Sequence, residues 1–163
     1  VSAGPTGGTS PAEEVVQRLT ATTHTVATAE SLTGGLLCAA LVAVPGASAV
    51  LRGGVVAYAA DVKTGVLGVP PDVVSRHGTV APGTATAMAE GARSLLGSDW
   101  AVATTGVAGP DEVEGKPVGT VHVAVAGPYG GSTVRIRSQG GREQVREAAV
   151  DAALRLLRDQ LPA

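Results

Sequence analysis

No phenylalanine occurs in this chain, and only one Met, one Trp and two Tyr stand among its 163 residues. A core built without large aromatics has to be filled by Ala, Val and Leu, and small side chains favour helices lying close against a sheet. The length suits one domain with a real core. A hydrophobic fraction of 44% excludes disorder beyond the ends. The 23 glycines are too aperiodic for collagen and too dispersed for a linker, so many are expected in turns or where backbone approaches a ligand.

The order of elements narrows the architecture. Ser10, Pro11 and Glu13 supply a cap, a first-turn proline and a capping-box acid for a helix whose apolar face is Val15, Val16 and Leu19. His24 to Ala29 reads as a short strand, Glu30 to Gly35 as a turn, and Leu36 to Val44 as a helix stopped before Pro45-Gly46. A second strand is placed around Gly54 to Tyr58, and short helical segments over Asp61 to Leu67 and Pro70 to Arg76. Pro82 opens a long helix with Ala85, Met88, Ala92, Leu95 and Leu96 at helical spacing. Asp99 to Thr105 is a buried strand, and Gly106 to Gly119 a Gly/Pro-rich loop. Thr120 to Ala126 and Ser132 to Ser138 alternate in polarity around a GPYGG turn, as an antiparallel hairpin does. Arg142 to Gln160 forms the last helix, with the stripe Val145, Ala149, Ala152, Leu156. Helices alternating with strands, then a hairpin and a helix, predict a three-layer α/β/α sandwich over a mixed sheet. Residues 1–9 read as a flexible Gly/Ser/Thr-rich N-terminal tail without the basic start and apolar run of a signal peptide, and 10–163 as a single domain.

Several function classes fall away on charge and composition. A net charge of −2 with no basic run disfavours nucleic-acid binding through a broad electrostatic footprint. No run of about 18 apolar residues exists to span a membrane. The lone Cys38 excludes an internal disulfide and points to a reducing, cytoplasmic compartment. His24, His77 and His122 share no metal-binding spacing, and no metal or cofactor is expected. Asp111, Glu112 and Glu114 read as a solvated acidic loop rather than a cation site. The Ala/Gly-rich helices offer close-packing surfaces for a homo-oligomer.

Five segments carry candidate chemistry. In Thr28-Ala29-Glu30-Ser31-Leu32-Thr33-Gly34-Gly35 a strand delivers Ser31 to the mouth of a helix, and the two glycines leave amides open to an anion or an oxyanion. Ser48, in Pro45-Gly46-Ala47-Ser48, is a second candidate nucleophile, and spacing does not choose between the two serines. Tyr58 ends a strand and Lys63 follows it; Lys63 and Lys116 are the only lysines against ten arginines. Lysine can deprotonate where arginine cannot, and a lysine base at neutral pH needs its pKa lowered from about 10.4 to about 7–8. Thr105, Gly106 and Gly109 lie in a loop at the end of a buried strand, the usual lining of a ligand crevice. Gly140-Gly141-Arg142 puts a cation in the first turn of a helix, a position that a bound phosphate would explain.

TAESLTGG, VPGAS, GGVVAYAADVK, HGTVAP, TTGVAGP, KPVGTVHVA and GGREQVR occur in this order, and together they resemble the CinA C-terminal domain family, which includes the nicotinamide-nucleotide amidohydrolases (PncC). The resemblance spans nearly everything after residue 10. It implies hydrolysis of nicotinamide mononucleotide to nicotinic acid mononucleotide and ammonia, in pyridine nucleotide salvage. Residue by residue, it places Ser31, Thr33, Gly34 and Gly35 in the family's loop, Ser48 before the next strand, and Tyr58 and Lys63 on its Tyr and Lys. Thr105, Gly106 and Gly109 match its TG-AGP loop, and Arg142 its Arg near the last helix. The expected machinery is a metal-independent Ser–Lys pair: Ser31 or Ser48 attacks, Lys63 takes the proton, Tyr58 orients or shuttles it, amides near Gly34, Gly35 or Gly106 hold the oxyanion, and Arg142 holds the phosphate. Departures cluster around this pocket, with Leu32 where the family often has Cys and Gly141 where an Asp commonly stands. They support a second reading, a nucleotide-binding or regulatory module with weak or no deamidase activity. A third reading is hydrolysis of another small amide.

Overall fold

The computed structural model describes residues 8–163. The expected tail falls mostly on residues 1–7, outside the described residues; Gly8 and Thr9 are exposed and lack regular structure. The first helix, α1 (Pro11–Thr22), starts as its sequence demands: the Ser10 hydroxyl accepts from the Glu13 amide, and the Glu13 carboxylate accepts from the Ser10 amide at 2.7 Å.

Next come β1 (Val26–Glu30), α2 (Leu36–Val42), a 3-10 turn (Ala47–Ala49), β2 (Leu51–Val56), α3 (Ala60–Gly65), α4 (Pro71–His77) and the long α5 (Pro82–Leu96). Three strands, β3 (Trp100–Gly106), β4 (Thr120–Gly127) and β5 (Gly130–Arg137), and helix α6 (Arg142–Gln160) complete the chain. The sheet order is β2-β1-β3-β4-β5. β1 pairs in parallel with β2 and β3, and the β3-β4 and β4-β5 pairs are antiparallel, so the sheet is mixed.

The two faces of the sheet differ in side-chain size. Ala27, Ala29, Ala101, Ala103, Ala124 and Ala126 pack against α5, whose own contact residues are Ala85, Met88, Ala89 and Ala92. The opposite face presents Val26, Val102, Val121, Val123 and Val125 to α1, α2 and α6. The missing phenylalanines are thus replaced by an alanine-on-alanine layer on one side and a Val/Leu layer on the other. On the alanine side the approach is close enough that a Cβ at Gly91 of α5 would collide with the Leu67 carbonyl.

One boundary differs from expectation in a way that matters. The strand expected around Gly54 to Tyr58 runs Leu51–Val56 instead. Ala57 still donates to the Glu30 carbonyl at 2.8 Å, but the chain then peels off the sheet edge and turns its next carbonyls inward. Because β1 leads to β2 on one side and to β3 on the other, their carboxyl ends open a crevice at the switch in strand order, where α/β sheets bind ligands. Among the described residues no helix is long and apolar enough to cross a membrane.

Candidate active site

Ser31 is the first residue past β1 and only 8% exposed. Its amide donates to the Thr104 carbonyl of β3 at 3.1 Å, and its own carbonyl accepts from the Gly34 amide. Lys63, on α3, is 1% exposed and reaches back under the end of β2. Its Nζ lies 3.0 Å from Ser31 Oγ, 2.7 Å from the Ala57 carbonyl and 2.9 Å from the Tyr58 carbonyl. Burial pulls its pKa from 10.5 down to about 8, against a smaller upward pull from the Glu114 carboxylate.

Those three partners define what the amine can do. The two carbonyls can only accept. A neutral amine has two N–H groups and one lone pair, so donating to Ala57 and Tyr58 aims the lone pair at the Ser31 hydroxyl. In that state Ser31 donates its proton to Nζ; when Lys63 is charged, the third N–H donates to Ser31 Oγ instead. Both protonation states are fully hydrogen-bonded, and the neutral one is poised to accept the serine proton.

The Ser31–Lys63 pair opens into a cavity of about 240 Å³ whose walls include Tyr58, Thr79, Thr105, Gly106, Gly109 and Arg142. Leu32 and Ala108 also line it, and neither of their amides donates to an acceptor among the described residues. The Thr105 hydroxyl donates to the Thr79 carbonyl at 2.7 Å. Thr33 lies behind the wall, its hydroxyl 2.8 Å from that of Thr104. Arg142 spans the mouth, donating to the Gly109 carbonyl at 2.6 Å and to the Tyr58 hydroxyl at 3.2 Å. The Tyr58 side chain is 62% exposed at this rim.

Three expectations are revised. Gly34 and Gly35 do not face the cavity. The buried Glu30 carboxylate has taken the start of α2, accepting from the amides of Gly35, Leu37 and Cys38 at 3.2, 2.8 and 3.1 Å. Both glycines hold positive φ, 55° and 103°, which lets the chain reverse tightly around that carboxylate. Ser48 is exposed in the 3-10 turn and lines a separate groove with Pro45 and Leu51, so within one chain it does not meet Lys63. Tyr58 touches Lys63 through its backbone carbonyl, while its hydroxyl accepts from Arg142.

Sequence reasoning missed Glu30, Arg146 and Glu114. Arg146 donates to the Leu32 carbonyl at 2.8 Å and the Thr33 carbonyl at 3.3 Å, bracing the Ser31 loop from α6. Its signal was its spacing, one turn after Arg142 on the same helix face. Glu30 was signalled by an acid at a strand end just before a helix whose glycine cap offers no side chain. Glu114 is exposed, as expected of a loop acid, but it is also tied down: its carboxylate accepts from the Thr79 amide and hydroxyl and from the Val80 amide. No group of three or more His, Cys, Asp or Glu side chains converges for a metal among the described residues.

The profile of the CinA C-terminal domain matches residues 8–161. The chain belongs to the CinA C-terminal domain family. A CinA-like protein of Frankia casuarinae is 52% identical over 137 residues, which is 84% of this chain and 32% of that protein. A CinA-like protein of Anaeromyxobacter dehalogenans is 53% identical over 145 residues, 88% of this chain and 36% of the relative. The chain therefore spans about a third of the length of these CinA relatives. Among solved structures, a CinA superfamily protein of Klebsiella pneumoniae superposes with a TM-score of 0.89 at 35% identity, covering 92% of this chain and 94% of that one. Another, from Enterobacter cloacae, gives 0.90 at 31% identity over 99% and 98%. The five-stranded mixed sheet in its helical layers is the CinA fold.

Proposed function

We propose that this CinA-family chain is an amidohydrolase that cleaves the carboxamide of nicotinamide mononucleotide through Ser31. The observation that carries this reading is the buried Lys63 amine, held by two carbonyls with its remaining valence on Ser31 Oγ. Ser31 Oγ attacks the carboxamide carbon as its proton passes to Lys63 Nζ. The tetrahedral oxyanion sits against the free Leu32 amide, one residue past the nucleophile. Lys63 returns the proton to the departing nitrogen, the C–N bond breaks and ammonia leaves. Water then attacks the acyl carbon, giving its proton to Lys63, which hands it back to Ser31 Oγ as the acid departs.

The nucleotide end of the substrate is supported by the cavity mouth. Arg142 lies in the first turn of α6, whose Gly141 cap makes no side-chain hydrogen bond, so guanidinium and free amides together suit a 5′-phosphate. Ammonia release from the mononucleotide by the purified chain tests the reading. Lys63→Ala is expected to lose most of that rate at neutral pH, and a variant retaining it in full removes the mechanism. A serine ester trapped by hydroxylamine separates covalent attack from direct attack by water. The names of the relatives, which speak of competence and damage rather than a reaction, favour the regulatory module as second reading. Binding of the mononucleotide without ammonia release would support it.

A further inference from the structure

The outer wall of the Ser31–Lys63 cavity is made of two segments that do not belong to one element. One is the Gly78–Val80 connection between α4 and α5, which contributes Thr79 and Val80. The other is a tight hairpin closed by the Val113–Lys116 bridge, which contributes Asp111 and Val113. Two side chains, Glu114 and Lys116, join the two segments.

Glu114, at the tip of the hairpin, holds a left-handed backbone conformation with φ 54°. A non-glycine residue in that region bears strain that its surroundings must offset. The Glu114 carboxylate accepts from the Thr79 amide at 2.9 Å, the Thr79 hydroxyl at 2.6 Å and the Val80 amide at 3.3 Å. Lys116 donates to the same carboxylate at 3.3 Å and to the His77 carbonyl at 3.0 Å, bridging the segments a second time. The approach is so close that a side chain at Gly78 would run into the carboxylate. From the cavity side, Thr105 donates to the Thr79 carbonyl, which ties the strapped segment to the end of β3.

We infer that Glu114 is a positioning residue: it straps the hairpin to the Gly78–Val80 connection and so holds the outer wall of the cavity in place. The inference rests on reading Ser31 and Lys63 as the reacting pair. The charged and titratable groups around that pair are Asp111 and Glu114 from the hairpin loop, Arg142 from α6, Tyr58 after β2 and Glu30 of β1; Lys116, with His122 beyond it, faces Glu114. Partial burial works against the Glu114 charge, but hydrogen bonds from Thr79, Val80 and Lys116 outweigh it and bring its pKa to about 2. It is therefore anionic wherever Lys63 titrates, and its charge favours the protonated amine.

Two substitutions grade the strap. Glu114→Ala removes all of its acceptors; Glu114→Gln keeps one oxygen for Thr79 but turns an NH2 donor toward the Val80 amide and Lys116. Glu114→Gln is therefore expected to show the same changes as Glu114→Ala at smaller size. In Glu114→Ala the amides of Thr79 and Val80 are expected to exchange with solvent at least about 10-fold faster, with KM rising about 5-fold or more and kcat changing less. Unchanged amide exchange in Glu114→Ala would overturn the inference. Amide exchange needs no turnover, so a wild-type chain that releases no ammonia would sink the deamidase reading and leave the strap decided on its own data.

Discussion

Two helices of this protein begin after a Gly-Gly pair, and their positive ends have opposite occupants. At α2, Gly34-Gly35 wraps the amides around the buried Glu30 carboxylate, a charge supplied from the adjoining strand. At α6, Gly140-Gly141 leaves the first turn uncapped at the cavity mouth, with Arg142 beside it. The sequence signature is nearly the same at both. What differs is whether a neighbouring strand delivers an acid into the helix end, which is a tertiary event. The lesson is that bare amides at a helix start mark an anion site only after the protein's own carboxylates have been placed. On the proposed function one end organises the nucleophile and the other is left for substrate, so substitutions near α2 should act on kcat or stability and those at α6 on KM.

The largest effect expected is at the nucleophile. Ser31→Ala should lower kcat for ammonia release by about 1,000-fold or more with KM nearly unchanged, since it removes a group that acts in the chemical step. Ser48→Ala is the contrast, because its groove is separate from the Lys63 cavity within one chain; steady-state rates for the two variants decide which serine the chemistry uses.

Glu30→Ala attacks the α2 end directly. It strands three amides in a largely buried helix start, at a cost of about 3 kcal/mol, read as a lower urea midpoint with the slope of the transition unchanged. Glu30→Gln should cost less, because one side-chain oxygen still accepts. An unchanged midpoint for both would mean that the α2 end is as free as the α6 end, and the contrast between them would be gone.

The layers were legible from punctuation and composition. Ser10 and Glu13 announced α1, Pro82 announced α5, and the lack of phenylalanine announced a core of Ala, Val and Leu, though not its division into an alanine face and a Val/Leu face. Ser31, Lys63, Thr105 and Arg142 were also legible as candidates, since each sits at the end of a periodic element. The bonding among them was not. Whether Gly35 greets a ligand or Glu30, whether Tyr58 offers its hydroxyl or its carbonyl, and whether Glu114 is free or strapped depend on contacts between residues up to 35 apart in sequence. Periodicity reports on one element at a time and carries no information about such pairs.

Lys63 adds a signature in stability. Its folded pKa of about 8 lies below its ordinary 10.5, so below pH 8 both folded and unfolded states hold the proton and the fold bears the whole cost of a buried ammonium. Between about pH 8 and 10.5 the folded state releases the proton first, and stability should rise with pH by up to about 3 kcal/mol. Lys63→Met should abolish that rise while losing activity, a result that chemical denaturation across the alkaline range would reveal.

Arg142→Ala is the smallest effect and the one that completes the comparison. A guanidinium donating to a phosphate is worth about 2 kcal/mol, so KM for the mononucleotide should rise about 30-fold with kcat little changed. The same substitution should leave KM for the unphosphorylated nucleoside near its wild-type value, because that substrate has nothing to place at the α6 end. The nucleoside control matters because Arg142 also bridges the Gly109 carbonyl and the Tyr58 hydroxyl. If the arginine served only to tie the rim together, both substrates would suffer alike and kcat would fall with them. A loss confined to the phosphorylated substrate would mean that the α6 end does for the ligand what the α2 end already does for Glu30.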